Sequence, residues 1–220
     1  GQVKLQHLNE LLSGIEDQAF VSLMHANNEI GNVLDIDAAG KICKEHKALF
    51  HSDTVQTVGH FTMNLSEINI DFITGSAHKF HGPKGAGFMY INADLKINPF
   101  IEGGAQERNM RAGTENVAGI MGFAAAMNLA YDELEAQSNY IRGLKDYFAS
   151  RIKELFPKAI FNGEIGPNSL YTVLNVAFPP GKKTDMLMFN LDFDGIAVSG
   201  GSACSSGSTV GYHVIAALNL

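Results

Sequence analysis

Residues 20–56, FVSLMHANNEIGNVLDIDAAGKICKEHKALFHSDTVQ, decide the fold class. The apolar run Phe20–Met24 has strand length and breaks at the polar cluster Asn27-Asn28-Glu29. An amphipathic stretch, Asp37–Lys47, follows, with Ile42 and Cys43 on its apolar side. A second short apolar run, Ala48–Phe50, ends in Ser52-Asp53-Thr54-Val55-Gln56. Strand, helix and strand at this spacing make a βαβ unit, and apolar runs closed by polar turns are how buried parallel strands read. Two more such runs, Phe72–Ile73 and Gly87–Ile91, extend the layer, so the first half is expected to be a doubly wound α/β layer with a mostly parallel sheet.

From Val117 the period becomes helical. Ile120, Phe123, Ala124, Met127, Tyr131 and Leu134 share one stripe, continued by Ile141, Leu144, Phe148, Ile152 and Leu155, and the helical stretch stops at Pro157. Beyond it come strand-like Ala159–Phe161 and Thr172–Phe178, a helical Thr184–Leu191, strand-like Ile196–Ser199 and a closing helix near Tyr212–Leu218. Residues 1–134 are thus expected to form part of a large α/β domain, and 135–220 a smaller, incomplete α+β domain.

Composition excludes several function classes. Hydrophobic residues make up 45% of the 220 and charged residues 18%, which supports a packed core rather than a disordered chain. The net charge of −7, with no basic run, argues against nucleic acid or an anionic membrane as partner. No apolar stretch approaches the roughly 20 residues that span a bilayer, and the first residues lack a signal-peptide pattern. Two cysteines are too few for a disulfide framework, which favours a reducing, cytoplasmic setting. His25, His51, His60, His78 and His81 show no metal-ligand spacing, so no metal site is expected.

Ligands of open α/β sheets bind beyond the carboxyl ends of the strands. The polar clusters at Asn27–Glu29, Ser52–Gln56 and Ser76–Lys79 lie there, as does the loop Gly103–Thr114. An apolar strand delivers Lys79 to that edge beside His78. Such a lysine is either an ordinary solvated strand-end residue or one desolvated enough to form a Schiff base with an aldehyde. Asp53 closes an upstream strand. It is either a turn or cap aspartate, or the anion that holds the pyridinium nitrogen of pyridoxal phosphate protonated. Gln56 could donate to that ring's phenolic oxygen, and Ser76 and His78 could donate to its phosphate. The glycine-rich run Gly82–Gly87 lacks the phosphate-loop pattern and reads as a tight turn before a strand. Cys204 stands among small residues, Ser199–Ser208, without the apolar neighbours of a structural cysteine, and reads as a reactive thiol. Cys43, on an apolar helix face, reads as core.

Four ordered segments carry a family resemblance: Val21–Gly31, Ser76–Gly85, Gly103–Arg108 with Arg111–Thr114, and Ser202–Ser206. Together they resemble the cysteine desulfurases, fold-type I pyridoxal-phosphate enzymes of the aminotransferase class V group. The resemblance implies conversion of L-cysteine to L-alanine, with the sulfur held as a persulfide on Cys204. It makes Lys79 the covalent cofactor lysine and the α-proton carrier, with Asp53 on the ring nitrogen and Gln56 on the ring oxygen. It sets Ser76 and His78 on the phosphate and Asn28 beside cofactor and substrate carboxylate. Thr114 corresponds to a residue that reaches the partner subunit's cofactor, which implies a homodimer. The Ser-Ala-Cys-Ser context resembles the class serving iron–sulfur cluster assembly or nitrogen fixation, which implies a sulfur-accepting protein such as an iron–sulfur scaffold. Gly200 departs from the family's commoner serine. The family also has a phosphate-binding threonine and a ring-stacking histidine expected before Gly1, and a carboxylate-binding arginine expected after Leu220. Residues 1–220 alone are therefore expected to be inactive and to hold cofactor weakly. The alternatives are a selenocysteine lyase or other class V enzyme, a cofactor-free sulfur carrier using Cys204, and an inactive interaction module.

Overall fold

The structure, a computed structural model, describes residues 1–181, 184–200 and 213–218. It divides into two compact units. One comprises Lys4–His25 and Leu34–Glu135, and the other Gly1–Val3, Ala26–Val33 and Ala136–Leu220.

The first unit is built on a four-stranded sheet in the order β1-β2-β3-β4, with β1 Phe20–Met24, β2 Leu49–Asp53, β3 Phe72–Ser76 and β4 Gly87–Ile91. β1, β2 and β3 are parallel. Helix α1 (Leu5–Ser13) precedes β1, and α2 (Ile36–Glu45) is the crossover between β1 and β2. Asp35 starts α2, its carboxylate accepting from the Ala38 N–H at 2.9 Å. The core between sheet and helices gathers Leu12, Val21, Ile36, Cys43, Phe50 and Ile73. Gly40 of α2 lies against the β2–β3 connection so closely that a Cβ there would sit 2.4 Å from the Asn69 carbonyl oxygen.

Two details depart from the expected strands. β4 runs antiparallel to β3, with Thr74 opposite Met89 and Ser76 opposite Gly87. Its apolar character matches a parallel strand, but the connection spans only residues 77–86, too short for a parallel crossover with its helix. β2 continues past its apolar run through His51 and Ser52, so Asp53 is its last strand residue, in register with Met24 on one side and Thr74 on the other. The glycine-rich run Gly82–Gly87 makes the expected turn, with Gly85 at φ +77°, and its last residue, Gly87, opens β4.

After β4 the chain makes a single short turn, α3 (Gln106–Asn109), in which Glu107, Arg108 and Asn109 all have positive φ. Helix α4 (Val117–Asp132) then packs Phe123, Ala126, Met127 and Ala130 around Val58, Ala77 and Phe80. Ile120 and Ala124, expected on its buried stripe, are exposed. α4 is apolar nearly all round, so spacing alone could not select a face.

The second unit takes nearly all of α5 (Leu134–Leu155) and a two-stranded antiparallel sheet of β5 (Ile160–Asn162) and β6 (Asn175–Ala177). It also holds α6 (Leu187–Phe193) and α7 (His213–Ala217). α5 buries Lys145, Ala149 and Ile152, whereas Leu144, Phe148 and Leu155 of the expected stripe are more than half exposed. The buried face is rotated because Lys145 finds acceptors inside. Ile196–Ser199 is not a strand. Gly195 turns the chain at φ +75° just before it, and Ile196 and Val198 are each half exposed. The expected closing helix is present as α7, and its first expected residue, Tyr212, lies outside the described residues.

Candidate active site

The carboxyl ends of β2 and β3 bring together most of the residues singled out by spacing. Asp53 ends β2, opposite Thr74 of β3, and adjacent strands lie about 4.8 Å apart. The polar turn after Asp53 is fastened at once. The Asp53 carboxylate accepts from the Val55 N–H at 2.9 Å, and Thr54 donates from its hydroxyl and its N–H to the Thr74 carbonyl at 2.7 and 3.0 Å. Gln56 follows in the same turn, half-buried.

β3 ends at Ser76, and a one-turn 3-10 helix, Ala77–Lys79, carries the lysine. Delivery is thus by a turn beyond the strand rather than by the strand itself. Within this turn Ala77 is fully buried, Lys79 is half-buried and His78 is exposed. Ser76 Oγ and His78 Nδ1 lie 2.7 Å apart, so the two proposed phosphate donors form one pair.

Two histidines hold this edge together, and spacing pointed to neither. His60 Nε2 donates to the Lys79 carbonyl at 3.1 Å, tying the turn that bears Gln56 to the turn that bears the lysine. Its partial burial lowers its pKa below the ordinary histidine value, with His81 acting in the same direction and the Lys79 carbonyl opposing. His25, after β1, is only 6% exposed. Its Nδ1 lies 2.9 Å from Thr57 Oγ1, and Thr57 donates onward to the Thr54 carbonyl. Burial pushes the His25 pKa down to about 4, against the opposing pull of Asp37. Histidine spacing in the sequence speaks only to metal ligation. The sequence signal for them is their place just beyond a strand end or within the Thr54–His60 turn. Gly59 completes the edge at φ +79°, where a Cβ would lie 2.8 Å from Phe80 Cβ.

The other expected residues fall elsewhere. Thr114 is exposed in the loop between α3 and α4, a loop closed on itself by Arg111 bonds to Glu107 and the Gly113 carbonyl and by Gly113 N–H to Gln106. Asn28 belongs to the second unit, half-buried in the loop Ala26–Val33. Cys204 lies outside the described residues. Cys43 is core, 1% exposed, with its pKa raised to about 11 by burial and then by Asp71. Among the described residues no three His, Cys, Asp or Glu side chains gather into a metal site. None of the described helices is long and apolar enough to cross a membrane.

One edge of the parallel strands presents a lysine, a strand-end aspartate and a serine–histidine pair. The chain belongs to the aminotransferase class-V family, whose model matches residues 1–218. It is 44% identical over 205 residues to the cysteine desulfurase IscS of Dictyoglomus turgidum, covering 93% of this chain and 52% of that one. To the putative cysteine desulfurase IscS 1 of Bacillus subtilis it is 40% identical over 218 residues, covering 99% of this chain and 56% of that one. Among solved structures, the NifS-like protein of Rickettsia africae superposes with a TM-score of 0.85 at 33% identity, over 96% of this chain and 58% of that one. The chain spans about half the length of the curated relatives it matches. The fold is therefore the α/β fold of this family, as the sequence pattern implies.

Pyridoxal phosphate is the family's cofactor, and the donor chemistry here fits it. The Ser76 hydroxyl and the His78 ring suit a phosphate, the Asp53 carboxylate suits a protonated ring nitrogen, and Lys79 carries the amine.

Proposed function

We propose that the whole protein is a cysteine desulfurase that converts L-cysteine to L-alanine and carries the released sulfur as a persulfide on Cys204. The observation that carries this reading is the pairing of Asp53 with β3, two residues before the Ser76–His78 pair and the Lys79 turn. When bound, pyridoxal phosphate supplies the electron sink that makes the substrate α-C–H acidic.

The chain's own residues supply the rest. Ser76 and His78 donate to the phosphate, Gln56 donates to the ring oxygen, and Asp53 keeps a proton on the ring nitrogen. Lys79 would hold the cofactor and carry the substrate α-proton, and Asn28 would lie beside the substrate carboxylate. The His60 bond to the Lys79 carbonyl fixes the backbone while the side chain changes partners. The Cys204 thiolate then forms an S–S bond to the substrate sulfur as the substrate C–S bond breaks. The carbon skeleton takes up a proton at the carbon that loses sulfur, regains at Cα the proton carried by Lys79, and leaves as alanine.

A homodimer, with Thr114 reaching the partner's cofactor, belongs to the same proposal. It is supported by the exposure of Thr114 and of the apolar residues that flank it in sequence. Phe100 is 99% exposed, and Val117 and Met121 are each 65% exposed, an apolar surface of the kind subunits cover. An iron–sulfur scaffold or similar protein is the proposed sulfur acceptor. A cytoplasmic setting belongs to the same proposal and is supported by the presence of only two cysteines in 220 residues.

The test is the full-length protein titrated with pyridoxal phosphate, followed by its visible spectrum and by alanine formation from L-cysteine. Lys79→Ala should abolish both the lysine-bound spectrum and turnover while the far-UV circular dichroism stays unchanged. Alanine formation at the wild-type rate by that variant would refute the assignment.

A further inference from the structure

We propose that Lys145 is a positioning residue, which fixes the loop Asn27–Asn32 and so sets Asn28 for the substrate; the inference rests on the role given to Asn28 above. Lys145 is 7% exposed on α5, and its ammonium donates to two neutral oxygens, Ser169 Oγ at 2.8 Å and the Leu170 carbonyl at 2.9 Å. One turn earlier Arg142 donates to the Gly166 carbonyl at 3.0 Å and lies over the Tyr171 ring. Two cations on one helix face thus grip the segment from Gly166 to Tyr171, whose Ser169, Leu170 and Tyr171 are buried. Burial and the neighbouring Arg142 charge lower the Lys145 pKa, against Asp146. An apolar residue would pack at this position without that desolvation cost, so the retained ammonium points to its bonds.

The gripped segment in turn holds the loop. Leu170 N–H donates to the Gly31 carbonyl at 2.8 Å, and Ser169 pairs with Asn32 in an isolated antiparallel bridge. The residues just upstream of the segment close in on the same loop. Glu164 N–H donates to Asn32 Oδ1 at 2.7 Å, and Gly163, at φ +90°, lies so near that a Cβ would come within 2.1 Å of the Ile30 carbonyl oxygen. From β6, Asn175 donates to the Glu29 carbonyl at 3.2 Å. Within the loop, Asn27 Oδ1 accepts from the Glu29 and Ile30 N–H groups. Among the described residues these bonds engage Asn27, Glu29, Ile30, Gly31 and Asn32 and pass Asn28 by. The loop is therefore clamped from outside just after Asn28 and closed on itself by Asn27 just before it, and Lys145 is the buried charge that holds the clamping segment.

Full-length, cofactor-loaded Lys145→Met should raise KM for L-cysteine roughly ten- to a hundredfold, the cost of misplacing a binding group by about an ångström, and change kcat less than threefold. Hydrogen exchange at the Glu29–Gly31 amides, measured without substrate, should accelerate at least tenfold while the β2 and β3 amides keep their rates. In an Asn28→Ala background Lys145→Met should add no further rise in KM, which a general loss of stability would not reproduce. Should Lys145→Met fail to fold, Ser169→Ala removes one acceptor and should move both readouts in the same direction. Unchanged loop exchange in the folded variant overturns the clamp itself. Faster loop exchange with a normal KM, beside a raised KM in Asn28→Ala, overturns the link to Asn28. A normal KM in Asn28→Ala removes the role of Asn28 and the positioning inference with it, while the exchange data still report on the clamp.

Discussion

His25 shows how one side chain joins stability to the active edge. It is buried, bonded to Thr57, and its pKa is lowered to about 4 by burial. The folded state therefore keeps it neutral while the unfolded chain takes up a proton near pH 6.5. Its contribution is fully present above pH 6.5 and is lost as pH falls towards 4, by roughly 3 kcal/mol. His25→Gln, which keeps a hydrogen-bonding group but does not titrate, should show a smaller loss of stability between pH 6.5 and 4 in urea melts than wild type does. Equal losses in both proteins would exclude His25 as the source. The two cysteines make a second residue-scale contrast. Cys43, with its thiol held near 11 and its side chain buried, should resist iodoacetamide in the native protein. Cys204→Ser should lose the persulfide in intact mass spectra, and a persulfide found on Cys43 would move the nucleophile. At this scale the sequence was partly legible. Lys79, Asp53 and Ser76 stand out because apolar runs end close to each of them, although each type alone is ordinary at a strand end. His25 and His60 do not, because their roles depend on Thr57 and the Lys79 carbonyl, which only the fold brings near.

Secondary-structure elements are legible in the sequence where one period dominates. Phe20–Met24 and Gly87–Ile91 emerge as strands with the expected limits. Buried faces are less legible. α4 is apolar all round, and α5 turns Lys145 inward while Leu144 and Phe148 face outward. Hydrophobic spacing assumes that charge stays outside, and it misleads where a buried cation finds acceptors. Helix α2 offers an element-scale test. A methyl group at Gly40 would strike the Asn69 carbonyl oxygen at 2.4 Å, and backbone there cannot swing aside as a side chain can. Gly40→Ala should therefore cost about 1–3 kcal/mol of stability, despite alanine's better helix propensity. The Tm should fall, while affinity for pyridoxal phosphate in the folded full-length protein stays unchanged. A raised Tm would mean that α2 can slide away from the β2–β3 connection.

For the whole molecule, the proposed dimer makes a quantitative demand. If Thr114 serves the partner's cofactor, a subunit with Lys79→Ala and a subunit with Thr114→Ala complement each other. A charge-assisted hydrogen bond lost at Thr114 is worth about 1.5–3 kcal/mol, so each variant alone should be weak or inactive. Random remixing gives half mixed dimers, each with one intact site, so activity should recover to about a quarter of wild type. No recovery after verified subunit exchange would confine Thr114 to its own subunit or remove it from the site. The antiparallel return of β4 also bears on the order in which the chain acquires structure. β3, the lysine turn and β4 pair across ten intervening residues, 77–86, whereas β1 and β2 must close a loop containing a whole helix. Loop-closure entropy favours the shorter circuit, so the ladder around Lys79 should form first in refolding and the parallel pairs later. Pulse-labelled exchange during refolding of the full-length protein should protect the β3–β4 amides ahead of those joining β1 to β2. Lys79, the proposed cofactor lysine, would then sit in the earliest-made part of the sheet, in place before Asp53, the residue proposed to face the same ring.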